Sequence, residues 1–232
     1  MNKKAVVLLS GGLDSAVTLY LAKQKGYRCF CLAFDYGQRH KRELAAAKKI
    51  SRHAGCDLKV LKIGFPWKGS SLLDKQMKLG RSSSGIPLTY VPGRNSIFLS
   101  FAVSYAEAIN ARAVFIGAHS QDYSGYPDCR PQFYHAFSKA VNAGTKAGVE
   151  GRAIRIVTPI INKKKAEIIG IGSKLGVPFG LTWSCYRGGR FPCGHCDSCH
   201  YRQKGFKEAG IIDPLSTRKD NKGRISSDGK DL

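Results

Sequence analysis

The chain has 232 residues, which points to one or two domains and is ample for a buried core. Lys and Arg number 38 against 16 acidic residues, a formal charge of +22, so the partners it favours are anionic: nucleotides, RNA, DNA or an acidic membrane surface. No apolar run reaches the about 18 residues of a membrane span. The opening Met1-Asn2-Lys3-Lys4 and its short apolar run lack a small-x-small cleavage site, so the expected location is the cytoplasm. The basic residues are scattered, as at Lys3-Lys4, Lys48-Lys49 and Lys163 to Lys165, with no single long block. A basic enzyme of small anions therefore competes evenly with an RNA-contacting one.

In chain order, the first strand is expected over 5–10, followed by Ser10-Gly11-Gly12-Leu13-Asp14-Ser15 and a helix over 14–25. Strand, glycine turn and helix aim free N–H groups and the positive end of a helix dipole at one point, where phosphate is the natural occupant. Ser10 and Ser15 add hydroxyl donors, and the absence of a lysine separates the pattern from GxxxxGK[ST]. Asp14 would repel bare phosphate, which calls for a bridging Mg²⁺. The competing reading is a glycine turn with Ser and Asp as N-caps.

A second strand is expected over 28–35, with Cys29 and Cys31 inside it, then a helix over 41–54 and a third strand over 58–63. Residues 64–92 lose periodicity and read as a lid or excursion rather than a domain. Val91-Pro92-Gly93-Arg94-Asn95 leads into an apolar helix over 95–110. Arg94 and Asn95 stand at its N-terminus, where anions are favoured; alternatively Asn95 is simply its cap. A fourth strand over 113–117 opens the loop Gln121-Asp122-Tyr123-Ser124-Gly125-Tyr126-Pro127-Asp128-Cys129-Arg130. Acids, tyrosines, an arginine and a thiol at a strand's carboxyl end suit a small-molecule pocket, with an ordinary Pro/Gly turn as the alternative. Helices over 131–147 and 163–175 flank a fifth strand over 154–159. Lysines at a helix N-terminus are unfavourable without an anion, so one of Lys163, Lys164 and Lys165 is expected to meet one, unless they form a solvated basic face. Strands alternating with helices imply a doubly wound parallel α/β sheet, whose ligands bind at the strands' carboxyl ends.

Cys193, Cys196 and Cys199 repeat at CxxC spacing, and Cys185 lies eight residues before them. Four thiolates form the closed tetrahedral set of structural Zn²⁺, ahead of an iron–sulfur cluster or a redox dithiol; His195 or His200 could replace one sulfur. A helix is expected over 200–209, and the polar tail after Pro214 is expected to be disordered.

Taken together, Ser10 to Ser15 resembles the PP-loop of the ATP pyrophosphatase superfamily. Phe34-Asp35-Tyr36-Gly37-Gln38-Arg39-His40, Val91 to Asn95, Asp122 to Arg130, and Leu181 to Tyr186 with the later cysteines and Arg202 to Phe206 are similar to its 7-cyano-7-deazaguanine synthase branch. The resemblance runs from about 5 to 214; Gly117 to Gln121 departs from it, and His119 falls where variation is expected. It implies an ATP-binding α/β domain over 1–180, a zinc module over 181–214 and a tail over 215–232. It implies ATP at Leu9, Ser10, Gly11, Gly12, Leu13, Asp14, Ser15, Ala16, Val17, Thr18 and Leu19. Asp14, Arg94 and Lys165 become the catalytic candidates. Arg94, Asn95, Asp122, Tyr126, Asp128 and Arg130 become the candidates for 7-carboxy-7-deazaguanine. The implied reaction joins that acid to ammonia through an adenylate and an amide, releasing AMP and pyrophosphate, with Mg²⁺ on the phosphates, structural Zn²⁺ and a homodimer. The rivals are a PP-loop tRNA-thiolating enzyme, an RNA-binding protein without catalysis, and a variant that stops at the amide or passes the activated acid to another amine. Neither nucleic acid nor membrane is an expected partner.

Overall fold

The computed structural model describes residues 3–38, 41–67, 70–74, 76–77, 86, 88–119 and 126–216. Five strands form one parallel sheet: β1 (Lys3–Leu8), β2 (Tyr27–Asp35), β3 (Asp57–Lys62), β4 (Ala113–Phe115) and β5 (Arg155–Val157). Their order is β3-β2-β1-β4-β5, every neighbouring pair parallel. The longer helices are α1 (Leu13–Gln24), α2 (Arg42–His53), α3 (Arg94–Ala108) and α4 (Pro131–Gly144). A short α5 (Lys146–Val149) precedes α6 (Lys165–Lys174) and α7 (Asp197–Glu208).

The central strand shows why both faces are covered. Ala5 to Leu9 are all buried, a continuous apolar run typical of a parallel strand with helices on both sides. Ala5, Val7 and Leu9 face the core built with α1, α2, α6 and α7; Val6 and Leu8 face the core of α3 and α4. The winding direction reverses between β1 and β4. A crevice at their carboxyl ends is the usual ligand site of such a sheet, and the Ser10 loop and Gly117 both lie there.

The expected elements are present, with shifted ends. β4 stops at Phe115, short of the expected 117. A Cβ on Gly117 would lie 3.0 Å from the Asp14 carbonyl and 3.0 Å from Thr18 Oγ1, so that stretch packs on α1 instead of extending the ladder. The helix expected over 131–147 breaks at Thr145, which is extended (φ −120°, ψ 149°). Its Oγ1 accepts from Gly148 N–H at 3.1 Å and starts α5 as a separate turn. α6 begins at Lys165 rather than 163, where the Glu167 carboxylate accepts from Lys164 N–H at 2.9 Å. α7 starts three residues earlier than expected, at Asp197, which places Cys199 inside its first turn.

The cysteine segment is continuous with the main core: Trp183, Cys185, Cys199 and Phe206 belong to the same buried cluster as β1 and α1. Arg202, 4% exposed, locks it there. It donates Nε to Asp213 Oδ2 at 2.7 Å, Nη2 to Oδ1 at 2.9 Å and Nη1 to Thr182 Oγ1 at 2.8 Å. Asp213→Asn leaves a buried guanidinium short of its counter-charge, and we expect a loss of about 3–5 kcal/mol in urea unfolding. A loss below about 1 kcal/mol would show that Arg202 finds another partner. Leu215, within the stretch expected to be tail, is buried, and its N–H donates to Asp213 Oδ1 at 3.0 Å. Residues 217–232 lie outside the described residues, as does 78–85 in the expected lid. Ser70 and Ser71 of that excursion are fully buried.

Candidate functional site

Gly12 is the N-cap of α1 and makes no side-chain cap. Neither serine nor Asp14 takes that role. Ser10 Oγ accepts from Gly12 N–H at 3.2 Å within the loop, Ser15 Oγ donates back to the Gly12 carbonyl at 2.9 Å, and the two hydroxyls meet at 3.1 Å. The N-terminus of α1 therefore has the character of an anion site rather than a self-satisfied turn. The loop depends on Gly11. Its φ is +91°, and a Cβ there would lie 2.1 Å from the Glu43 carbonyl oxygen. Trp183 N–H pins the Gly11 carbonyl at 2.9 Å. Gly11→Ala is expected to lose about 1–3 kcal/mol of stability and to abolish ATP binding by calorimetry; retained ATP affinity would contradict this geometry.

Asp14, in the first turn, faces Lys165 from α6. Lys165 Nζ donates to Oδ1 at 2.7 Å and Oδ2 at 2.8 Å, and lies 3.0 Å from His119 Nε2. The anion that a lysine at a helix start requires is thus a side chain of this chain, 151 residues away. Burial alone would raise the Asp14 pKa, but the charge and hydrogen bonds of Lys165 hold it well below the carboxylate range. The carboxylate stays ionised at the start of α1.

A cavity of about 310 Å³ opens in front of the loop. Ser10, Gly12, Asp14 and Ser15 line one end, and Tyr36, Arg94, Phe98 and Tyr126 line the other. The Arg94 guanidinium lies 5.9 Å from the ring centres of both Tyr36 and Phe98. Two aromatic rings and a cation suit a planar, anionic ligand. Asn95 also lines the cavity, but it is engaged with the loop after β4. Its N–H donates to Asp128 Oδ2 at 3.0 Å and its Nδ2 to the Asp128 carbonyl at 3.2 Å and Cys129 Sγ at 3.2 Å. Asp128, 6% exposed, satisfies a free N–H of α3 and is not among the cavity-lining residues. Tyr126 Oη bonds Thr89 Oγ1 at 2.5 Å. Arg130 is exposed, at the start of α4 and away from the cavity. Asp122 lies outside the described residues.

Two residues near this site escaped the sequence reading. His119 is 3% exposed against Asp14 and Lys165. Glu43 lines the cavity, and burial, partly offset by Arg94 and reinforced by Cys185, pushes its carboxyl up to about 7. Its position on an amphipathic helix gave no hint of this. The folded chain binds the Glu43 proton more tightly than the unfolded chain, so this group's contribution to stability falls as pH rises from about 4.5 through about 7. Glu43→Gln is expected to gain melting temperature relative to the parent across that interval; a pH-independent difference would refute the assignment.

Cys185, Cys193, Cys196 and Cys199 place all four sulfurs within 4.8 Å of one another. A tetrahedral Zn–S₄ set with bonds of about 2.3 Å has S···S edges of about 3.8 Å, and Cys193 and Cys199 sulfurs lie 4.0 Å apart. Backbone N–H groups of Arg187 and Cys193 point at Cys185 Sγ at 3.4 and 3.3 Å, an arrangement that stabilises thiolate. The four expected ligands are therefore together and can hold a metal; His195 and His200 are not part of the group.

The family model described as queuosine biosynthesis protein QueC matches residues 4–210. The chain is 52% identical over 221 residues to the 7-cyano-7-deazaguanine synthase of Trichodesmium erythraeum, covering 91% of this chain and 99% of the relative. It is 52% identical over 216 residues to that of Acetivibrio thermocellus, covering 92% and 97%. Among solved structures, NMN synthetase from Francisella tularensis aligns with a TM-score of 0.51 at 18% identity, over 91% of this chain and 78% of that one, which reflects a shared fold. With the Ser10 to Ser15 loop, the aromatic cavity and the four-cysteine group all inside the matched span, the chain belongs to the QueC family of queuosine biosynthesis proteins.

Proposed function

We propose that the chain converts 7-carboxy-7-deazaguanine and ammonia to 7-cyano-7-deazaguanine at the expense of ATP. The observation that carries this reading is one cavity lined both by the start of α1, with Asp14 and Ser10, and by Arg94 beside the Tyr36 and Phe98 rings. A carboxylate oxygen is a poor leaving group. Attack of the carboxylate on the α-phosphorus of ATP makes an acyl-adenylate and frees pyrophosphate. Ammonia then displaces AMP to give the amide. A second ATP activates the amide oxygen, and loss of AMP with the amide protons leaves the nitrile.

The residues divide the work by position. The N–H groups at the start of α1, with the Ser10 and Ser15 hydroxyls, hold the β- and γ-phosphates that depart as pyrophosphate. Lys165, within a side chain's reach of that point through Asp14, supplies positive charge to the phosphates. Arg94 pairs with the substrate carboxylate, and the touching Tyr36 and Phe98 rings offer the flat bicycle one apolar wall. Burial pushes the Tyr36 hydroxyl up, so it remains a neutral donor at working pH. Asn95 and Asp128 are reassigned as the latch that fixes Arg94 and the start of α3. Mg²⁺ fits the ionised Asp14 at the phosphate end and, when bound, would neutralise phosphate charge. Zn²⁺ fits the four-thiolate group and would be structural.

A cytoplasmic location goes with this function, and none of the eight cysteines is in a disulfide, as that compartment favours. No helix among the described residues is long and apolar enough to cross a membrane. The family resemblance supports a homodimer, which sedimentation would detect. The deciding experiment incubates the chain with ATP, Mg²⁺, ammonia and 7-carboxy-7-deazaguanine and reads the products by mass spectrometry. Nitrile with two AMP per turnover is expected. Amide alone would assign the variant that stops half-way, and absence of AMP would overturn the ligase reading.

A further inference from the structure

We propose that His119 is a positioning residue: it holds the Lys165 ammonium against Asp14, whose side chain lines the cavity. This rests on the reading of Lys165 given above. His119 follows β4, and the close approach of Gly117 to α1 brings its ring to Asp14: a Cβ on Gly117 would lie 3.0 Å from Asp14 backbone atoms. The ring is 3% exposed, with Nε2 3.0 Å from Lys165 Nζ and 3.5 Å from Asp14 Oδ2.

An ammonium only donates, so the 3.0 Å contact is a hydrogen bond only if Nε2 accepts. The imidazole is then neutral, with its proton on Nδ1; a proton on Nε2 would set two donors against each other. Lys165 thereby directs its three N–H bonds to three acceptors: Asp14 Oδ1, Asp14 Oδ2 and His119 Nε2. A lysine head on a flexible four-carbon stem is otherwise poorly localised. Its stem is backed by α7, where a Cβ on Gly205 would lie 2.3 Å from Lys165 Cγ. Of the three acceptors, only His119 carries no charge. When Asp14 turns to a cation or its electrostatic grip is shared with phosphate, His119 remains to orient Nζ. It does this without competing for the ammonium's charge.

The test uses the full chain. In the absence of ATP, acetic anhydride labelling followed by mass spectrometry reads the reactivity of the Lys165 amine. His119→Ala is expected to raise Lys165 labelling several-fold, and His119→Gln, whose amide oxygen can accept from Nζ, to restore most of the protection. AMP formation should fall about tenfold to a hundredfold in His119→Ala through lower kcat, recover in His119→Gln, and show less than a twofold further loss when His119→Ala is added to Lys165→Ala. Unchanged labelling, or an equal loss from His119→Ala in both backgrounds, overturns the proposal. If instead labelling changes as stated while Lys165→Ala leaves AMP formation intact, the role assigned to Lys165 on phosphate fails and the positioning contact stands.

Discussion

Lys165→Met is expected to slow AMP formation about 100- to 1000-fold, the scale of removing one preorganised charge-stabilising donor from a reacting centre. Two structural facts make the effect large. The Nζ group is fixed by three acceptors, so it needs no reorganisation when phosphate charge develops. Its side chain is only 12% exposed, so water does not substitute for it well. The same variant has a second signature, in stability. In the Lys165–Asp14 pair, the ammonium holds the Asp14 pKa well below its unfolded value. That pair therefore stabilises the fold at neutral pH, and the stabilisation is lost as pH falls below the ordinary carboxylate range and Asp14 takes up its proton. The melting temperatures of parent and Lys165→Met should differ near pH 7 and converge toward pH 2. A constant gap would mean that Lys165 stabilises through its methylene stem alone. The Asp14 side chain is 26% exposed, so the stability difference should be modest beside the kinetic one.

The same residue shows what a linear reading delivers. A lysine at a helix start demands an anion, so position alone pointed to one of Lys163, Lys164 and Lys165, and the resemblance narrowed it to Lys165; the Ser10 to Ser15 loop stood out from its glycines between an apolar run and a helix. The partner was not identifiable, because Asp14 and Lys165 meet only after the crossover from β1 to α6 is folded. His119 was harder still: one histidine after a strand end carries no periodic or spacing signal, and Gly117, which brings it to Asp14, reads as an ordinary turn glycine. For the Asp128 loop, residue types suggested ligand binding, yet the carboxylate is consumed by Asn95 N–H at the start of α3. A polar residue's type tells what it can bond to, and only the fold tells which partner arrives first. The central strand was legible because helices cover both of its apolar faces; the end of β4 was not, because Gly117 against α1 is a tertiary contact, whereas the Thr145 cap on Gly148 N–H that breaks the helix is local.

Removing the metal from the four-cysteine group should unfold more than that group. Zinc bound by four thiolates contributes on the order of 10 kcal/mol in small peptides. Here the sulfurs of Cys185 and Cys199 sit in the same core as β1 and α1. Trp183, two residues before Cys185, donates its backbone N–H to Gly11 at 2.9 Å and its indole N–H to the Cys185 carbonyl at 2.9 Å. Arg42 of α2 stacks on the Trp183 ring at 4.8 Å and donates Nε to the Gly188 carbonyl at 2.9 Å. The chelated chain, or Cys185→Ser, is therefore expected to lose ATP binding together with its zinc, even though no cysteine of the group touches the phosphate end. Elemental analysis should find one zinc per parent chain in colourless protein; iron with labile sulfide would favour the thiolating reading instead. The linkage is tested by titrating chelator while following ATP affinity and zinc content together. Coincident loss is required if Trp183 transmits the metal site to Gly11. Zinc-free protein that binds ATP with unchanged affinity would separate the two, leaving the metal to stabilise only its own segment.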